Sequence, residues 1–389
     1  MSEFKIVFLS EFQSRHGGEN SLLAVLPPLM RHGVLPLVVA PSSGDFADAV
    51  RRLGVDLIDF CRIDNSGAVF PQHQLREMLA KELRRISPDL VHANSLAMGR
   101  LSGPVVKHLN LAGMTHLRDI VRLNRQATAD LNDHLRLIAV SRATRDYHVA
   151  QGISAEKCCV IYNGVDSNVF QFRPSTGSLH RELRLPDNAL LIGNIGQLGL
   201  RKGHLPLFLA MQKIVEKRPE SHLVMIGTRW SSKAESIEYE QTLYELADKQ
   251  PLAGHVHFLG TRDDIPAIMN ELTILIHSAR QEPLGRVLLE AAASQVPVIA
   301  TQVGGTAEIF EPLETQHQAA AILLSDPKEK NDLDFALEIA RQTEALLNND
   351  LLRCQMAQNA RAIAESRFSV ERCAASLLTQ YREVLEARR

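Results

Sequence analysis

Two glutamates, Glu282 and Glu290, bracket the start of a stretch reading EPLGRVLLEAAASQVPVIAT. Residues 284–294 are rich in Leu and Ala and predict a short helix, with Pro283 at a first-turn position and Pro297 blocking continuation. A helix that starts near Leu284 aims unpaired backbone N–H groups and its positive dipole end outward, and phosphate is the usual guest at such an end. Gly285 lets that guest approach the backbone closely. Glu290 lies about 7.5 Å further along the axis at ~1.5 Å per residue, and its side chain leans back toward the helix start. One carboxylate therefore stands in the loop and the other in the second turn. Each can accept hydrogen bonds from the hydroxyls of a polyol, as on a diphosphate flanked by a sugar and a ribose. The competing reading is a pair of ordinary carboxylates on an exposed helix face.

The matching positive charge stands in GQLGLRKGH, where Arg201 and Lys202 precede a helix expected from about Leu205 and are placed to neutralise a diphosphate. Gly196 lies in the same glycine-rich turn. Solvated loop charge is the alternative reading of the two cations. The spacing around Gly193, Gly196 and Gly199 departs from a dinucleotide fingerprint, because its second glycine would fall at Ile195, and no acid closes the next strand at VMIGTRW. A nicotinamide dehydrogenase is thereby disfavoured. Asp332 and Asp334 form an Asp-x-Asp, but they sit in the helical, polar segment EKNDLDFALEIARQ and read as solvated surface rather than a metal site. His116 ends an apolar strand and is expected to face a cleft, although a histidine in such a place is more often structural.

The elements that must position these groups alternate along the chain. Apolar runs at residues 5–9, 35–40, 55–60, 90–93, 113–116, 137–140 and 160–162 predict strands, with helical periodicity between them. Gly17 and Gly18 read as a flexible turn before the first helix, and Ser141 as a helix cap. Residues 166–188 lose periodicity and carry Pro, Ser, Thr and Gly, which reads as a linker. The pattern then restarts, with strands expected at 190–195, 222–226, 255–258, 272–276 and 296–300 and a tail helical throughout 349–389. Strand, helix and parallel strand in series give an α/β fold of two Rossmann-like, doubly wound domains facing across a cleft. The expected boundaries are 1–168, completed by a last helix at about 370–389, then the linker at 169–188 and a second domain at 189–369.

At 389 residues the chain calls for two domains. Its 45% hydrophobic and 23% charged residues are those of a globular protein. No apolar run is long enough to span a bilayer, and the start MSEFKIVFLSEFQ carries acids where a signal peptide is basic, so a cytoplasmic location is expected. The five cysteines lack metal-ligand spacing and indicate no disulfides. A net charge of −2 makes no case for nucleic acid. Residues 1–165 nevertheless carry 19 Lys and Arg against 16 Asp and Glu, a surplus that would favour peripheral contact with an anionic membrane or a phosphorylated acceptor, solvated helix faces being the alternative reading.

The ordered set GGEN, YNGVD, GQLGLRKGH, VHFLGTRDDI and EPLGRVLLEAAASQVPVIAT followed by VGGTAEI resembles the family 4 retaining glycosyltransferases of the GT-B fold, over nearly the whole chain. The resemblance implies that Glu282 and Glu290 are the glutamates of the E-x7-E motif, Glu282 binding sugar hydroxyls and Glu290 the nucleotide ribose. Arg201 and Lys202 would grip the donor diphosphate, with Gly196 on the donor side. The backbone of Pro283, Leu284 and Gly285 would meet phosphate and sugar, and Thr261 and Arg262 would border the base. His116 would bind the donor sugar, and Gly17, Gly18 and Glu19 would form the acceptor-side loop; Glu19-Asn20 stands where many members have Ala-Glu-Arg. The implied reaction is metal-independent and cofactor-free transfer of a hexose, glucose from UDP-glucose being the expected case because UDP-hexoses are the commonest donors among bacterial-type members. The hydroxyl of a glycan or lipid-linked acceptor would receive it, in polysaccharide or cell-envelope biosynthesis. A sugar-nucleotide enzyme without an acceptor, such as a UDP-N-acetylglucosamine 2-epimerase, and a binding protein without turnover are the rival readings.

Overall fold

The structure, a computed structural model, describes residues 3–64, 66–313 and 319–387. They fall into two compact units, Met1–Gly164 with Phe368–Arg389, and Val165–Arg367.

The first unit is built on seven parallel strands: β1 (Phe4–Leu9), β2 (Val34–Ala40), β3 (Asp56–Asp59), β4 (Leu90–Ala93), β5 (Ala112–Leu117), β6 (Arg136–Ala139) and β7 (Cys158–Val160). Their order is β3-β2-β1-β4-β5-β6-β7. A parallel sheet covered on both faces favours near-continuous apolar runs in its strands, and β1 shows why beyond its first two residues. Ile6 and Phe8 point into a core shared with the helix Gly17–Arg31 and the last helix, Val370–Glu386. Val7 and Leu9 point into the opposite core, under Gln72–Ile86 and Leu96–His108. The two-residue period of a strand thus feeds two helical layers. Ser95 and Ser141 cap the helices that follow them, their hydroxyls accepting from the N–H of Met98 and Thr144.

The second unit carries β8 (Leu190–Ile195), β9 (Ser221–Ile226), β10 (Val256–Phe258), β11 (Ile274–His277), β12 (Val298–Thr301) and β13 (Ile322–Leu324), in the order β10-β9-β8-β11-β12-β13. In both sheets the order reverses between the first strand and the fourth. That reversal opens a crevice beyond the carboxyl ends of the two central strands, where ligands of open α/β sheets bind.

Four local readings change. The stretch expected to be a linker includes a helix, Ser178–Leu183, and is bound down onto the second unit by Glu271, which accepts from the Ser175 hydroxyl at 2.7 Å and from the N–H and hydroxyl of Thr176 at 2.9 Å. Gly17 and Gly18 are not a flexible turn but the first residues of a helix. The tail breaks between Asp350–Arg367 and Val370–Glu386, because Ser369 is extended and its hydroxyl caps the second helix; residues 388 and 389 lie outside the described residues. The helix of the two-glutamate stretch is Arg286–Ala293, beginning later than expected, so Pro283 precedes it instead of occupying its first turn. Gly285 sets that start: its φ of 106° is closed to the right-handed helix, and a Cβ there would stand 2.7 Å from Leu288.

Candidate functional site

In the second unit the groups singled out from the sequence gather at the carboxyl ends of β8 and β11. Asn194, near the end of β8, donates its side-chain N–H to the carbonyl of Ile276 in β11 at 2.8 Å, locking the two strands together. The 3-10 turn Leu200–Lys202 after β8 is pinned to the loop after β11: Arg280 N–H donates to the Arg201 carbonyl at 2.8 Å, and the Ser278 hydroxyl to the Lys202 carbonyl at 3.1 Å. Gly203 permits this approach, since a Cβ there would lie 2.1 Å from the Ser278 carbonyl oxygen. Glu282 is held from the other side, its carbonyl accepting from Gly305 N–H at 3.1 Å.

The charges then meet on one carboxylate. Glu282 Oε2 accepts from Lys202 Nζ at 2.6 Å and from His277 Nε2 at 3.0 Å, with Arg201 Nη1 4.0 Å away. Glu282 is 8% exposed. Burial alone would raise its pKa, but the Lys202 charge, the His277 hydrogen bond and Arg201 outweigh it and hold the carboxyl well below the usual range. Burial pushes His277 down, so its neutral ring donates from Nε2. Glu290 is 9% exposed and ion-paired with Arg286 at 2.7 Å, one turn before it. Here burial wins over Arg286 and the carboxyl is raised. Two glutamates of one motif are thus tuned in opposite directions, and neither is the exposed helix-face carboxylate of the simpler reading.

Family models match along both units. One described as glycosyl transferases group 1 covers residues 176–363, and one described as Glycosyltransferase Family 4 covers residues 15–169. The chain belongs to the family 4 glycosyltransferases. It is similar to YtcC of Bacillus subtilis (strain 168), which carries a provisional glycosyltransferase name, at 26% identity over 81% of this chain and 77% of the relative. A D-inositol 3-phosphate glycosyltransferase of Corynebacterium jeikeium is 27% identical over 65% of this chain; the match spans little more than half, 58%, of that relative. Among solved structures, Anabaena Alr3699/HepE in complex with UDP-glucose superposes with a TM-score of 0.82 at 23% identity, covering 99% of this chain and 100% of that one. The fold is therefore that of the GT-B glycosyltransferases, two Rossmann-like α/β units.

Several expected donor contacts are qualified in this glycosyltransferase. Leu284 is buried in the core, so only its backbone is available to a ligand. Gly196 has a φ of 153° and lies against Lys202, a Cβ there falling 3.6 Å from the lysine Cε. Thr261 is exposed, whereas Arg262 is engaged by Glu182 and Asp264 in the same unit. Asp332 is ion-paired with Arg280 and Asp334 accepts from the Asn331 side chain at the start of the helix Asp332–Leu347. Among the described residues no three His, Cys, Asp or Glu side chains are grouped to hold a metal, and no helix is long and apolar enough to cross a membrane.

In the first unit the expected acceptor-side glutamate turns inward. Glu19 is 2% exposed, accepts from the Ser10 hydroxyl at 2.9 Å, and is raised by burial. It supports the helix start rather than presenting its carboxylate there. Gly18 leaves room for Arg118, whose Cδ would be 3.2 Å from an added Cβ. Arg118 donates to the carbonyl and side-chain oxygens of Asn94 at 2.8 Å and to Asn163 at 2.7 Å. His116 is 3% exposed, not a surface group; its Nδ1 lies 2.7 Å from Nε2 of His92.

Four participants escape the sequence reading: His277, Arg286, Arg118 and His92. His277 had a signal, since it ends an apolar run five residues before Glu282. Arg286 stands four residues before Glu290, the spacing of a helical ion pair. Nothing in the local sequence marks Arg118 or His92, whose partners lie on other elements.

Proposed function

We propose that the protein is a retaining hexosyltransferase that moves glucose from UDP-glucose to a hydroxyl of a glycan or lipid-linked acceptor. The observation that carries this reading is the buried carboxylate of Glu282 set among Lys202, Arg201 and His277 beside the start of the helix Arg286–Ala293, with Glu290 in its second turn. Lys202, Arg201 and the backbone N–H groups at the helix start offer positive charge where the diphosphate becomes the leaving group. Glu282, ionised, accepts hydrogen bonds from sugar hydroxyls, and Glu290 from the ribose. The HepE complex with UDP-glucose supports the choice of donor.

Chemically, the bond between the anomeric carbon and the diphosphate oxygen breaks with the electron pair leaving on phosphate, through an oxocarbenium-like transition state. The acceptor hydroxyl attacks the same face, so the configuration is retained. A diphosphate oxygen takes the proton of that hydroxyl. Lys202 has three N–H donors, so it can hold Glu282 and a phosphate oxygen together. Charge stabilisation from these groups needs no divalent metal.

The test is calorimetric titration with UDP, GDP, ADP and NAD, with magnesium and with a chelator, followed by UDP-glucose against UDP-galactose and UDP-N-acetylglucosamine. Metal-independent UDP binding that weakens in Lys202→Ala and Glu290→Ala is expected. UDP release should rise when lipid-linked or polysaccharide acceptor is added, and the product should show the anomeric configuration of the donor by NMR. Binding of NAD alone, or UDP binding indifferent to both substitutions, refutes the site; interconversion of the donor without acceptor favours the epimerase reading.

A further inference from the structure

His116 ends a chain of buried polar groups that begins on the last helix of the protein. Tyr381, in Val370–Glu386, is fully buried, and its hydroxyl lies 2.7 Å from Nδ1 of His92 in β4. The other nitrogen of His92, Nε2, lies 2.7 Å from Nδ1 of His116 in the neighbouring strand β5. The two imidazoles are within 11° of parallel with centroids 4.8 Å apart. With so short an N···N contact at that separation, the rings lie edge to edge, aligned for a hydrogen bond. The partners stand 289 and 24 residues apart in sequence.

The proton positions in this chain follow from counting donors and acceptors. Among the described residues the Tyr381 hydroxyl has His92 as its one hydrogen-bond partner. If that hydroxyl only accepted, its proton would be left without an acceptor in an apolar core of Phe8, Leu22 and Leu377, so it donates to Nδ1 of His92. Burial, reinforced by the Arg118 charge, holds His92 down to about 3 and His116 well below the ordinary histidine value, so both rings are neutral. A neutral imidazole has one N–H and one lone pair. His92, having accepted at Nδ1, carries its proton on Nε2 and donates it to Nδ1 of His116. His116 then carries its own proton on Nε2, the nitrogen that makes no hydrogen bond to any described residue.

We propose that Tyr381 and His92 are positioning residues that fix the tautomer of His116, so that His116 meets the donor sugar as an Nε2–H hydrogen-bond donor. This rests on the reading of His116 as a donor-sugar contact. It excludes His116 as a base through Nε2, because that nitrogen has no lone pair to receive the acceptor's proton, consistent with the diphosphate taking it. The last helix thereby contributes to the site through a hydroxyl that touches no substrate.

The test uses full-length protein labelled with 15N-histidine. In the wild type, the His116 ring should show a protonated Nε2 and an unprotonated Nδ1, unchanged between pH 6 and 8. In Tyr381→Phe, which keeps the ring and removes the hydroxyl, the two tautomers of the His92–His116 pair become nearly equivalent, and the His116 nitrogens should move toward averaged shifts. kcat/KM for UDP-glucose should fall about tenfold, the worth of one well-made hydrogen bond, while affinity for UDP, which lacks the sugar, stays within twofold. A wild-type His116 protonated on Nδ1 overturns the proposal, and that spectrum decides it even if Tyr381→Phe does not fold. Averaged shifts with unchanged kcat/KM overturn the positioning role. A wild-type protein with the Nε2–H tautomer but no transfer of sugar from any donor leaves the relay standing and refutes the proposed function instead.

Discussion

Replacing Glu282 by Gln keeps the side chain's volume and one accepting oxygen but removes the charge that faces Lys202 at 2.6 Å and Arg201 at 4.0 Å. Removing one partner of a buried pair costs about 3–5 kcal/mol when the other is left uncompensated. The retained amide oxygen can still accept from Lys202, and a hydrogen bond to a charged group is worth about 1.5–3 kcal/mol. The net expectation is a loss of about 2 kcal/mol in the unliganded protein, a drop of roughly 4–8 °C in the melting of a unit this size. The sign with pH follows from the depressed carboxyl. Its contribution is complete above the unfolded value of about 4.3 and fades as pH falls toward the folded one, so the gap between wild type and Glu282→Gln should begin to narrow below about pH 4 and keep narrowing as the pH falls further. On the proposed donor site, UDP would supply the missing negative charge to Lys202 and Arg201. Differential scanning calorimetry at pH 7 with and without UDP should therefore show a larger ligand-induced shift in Glu282→Gln than in wild type, even as transfer activity falls. Equal unliganded melting temperatures, or a UDP shift abolished by the substitution, would refute the view that Glu282 neutralises these cations before the donor arrives.

Glu290→Gln should melt no lower than wild type at pH 7 while binding UDP about tenfold more weakly, because burial raises this carboxyl and its charge is a cost to the fold at neutral pH; that stability advantage should vanish as pH falls below the unfolded value, read from melts at pH 4 and 7. Gly285→Ala places a Cβ 2.7 Å from Leu288 at a φ of 106°, and should cost about 1–3 kcal/mol in denaturant unfolding together with UDP affinity. Glu271→Gln weakens the acceptor for Ser175 and Thr176 and should destabilise the second unit by about 1.5–3 kcal/mol with UDP affinity within twofold, separating structural from donor-site effects by calorimetry.

The sequence alone determined the α/β character and the glycosyltransferase family, because buried parallel strands read as near-continuous apolar runs and because the motif glutamates, the Arg-Lys pair and the glycine turns keep fixed spacings within short segments. Ser141 as a cap and residues 284–294 as the core of a helix were legible for the same reason, being set by neighbours a turn away. Where the helix begins was not, since it depends on the backbone sign at Gly285. Only the tertiary structure decided which charges meet. Lys202 and Glu282 are 80 residues apart and come together because β8 and β11 are adjacent at the reversal of strand order. The same holds for Glu19, where helical spacing says nothing of the Ser10 hydroxyl waiting beneath it, and for His116, whose proton is placed by a tyrosine on the last helix. Local patterns fix which residues can act; long-range packing fixes their partners, their charge and the direction in which they donate.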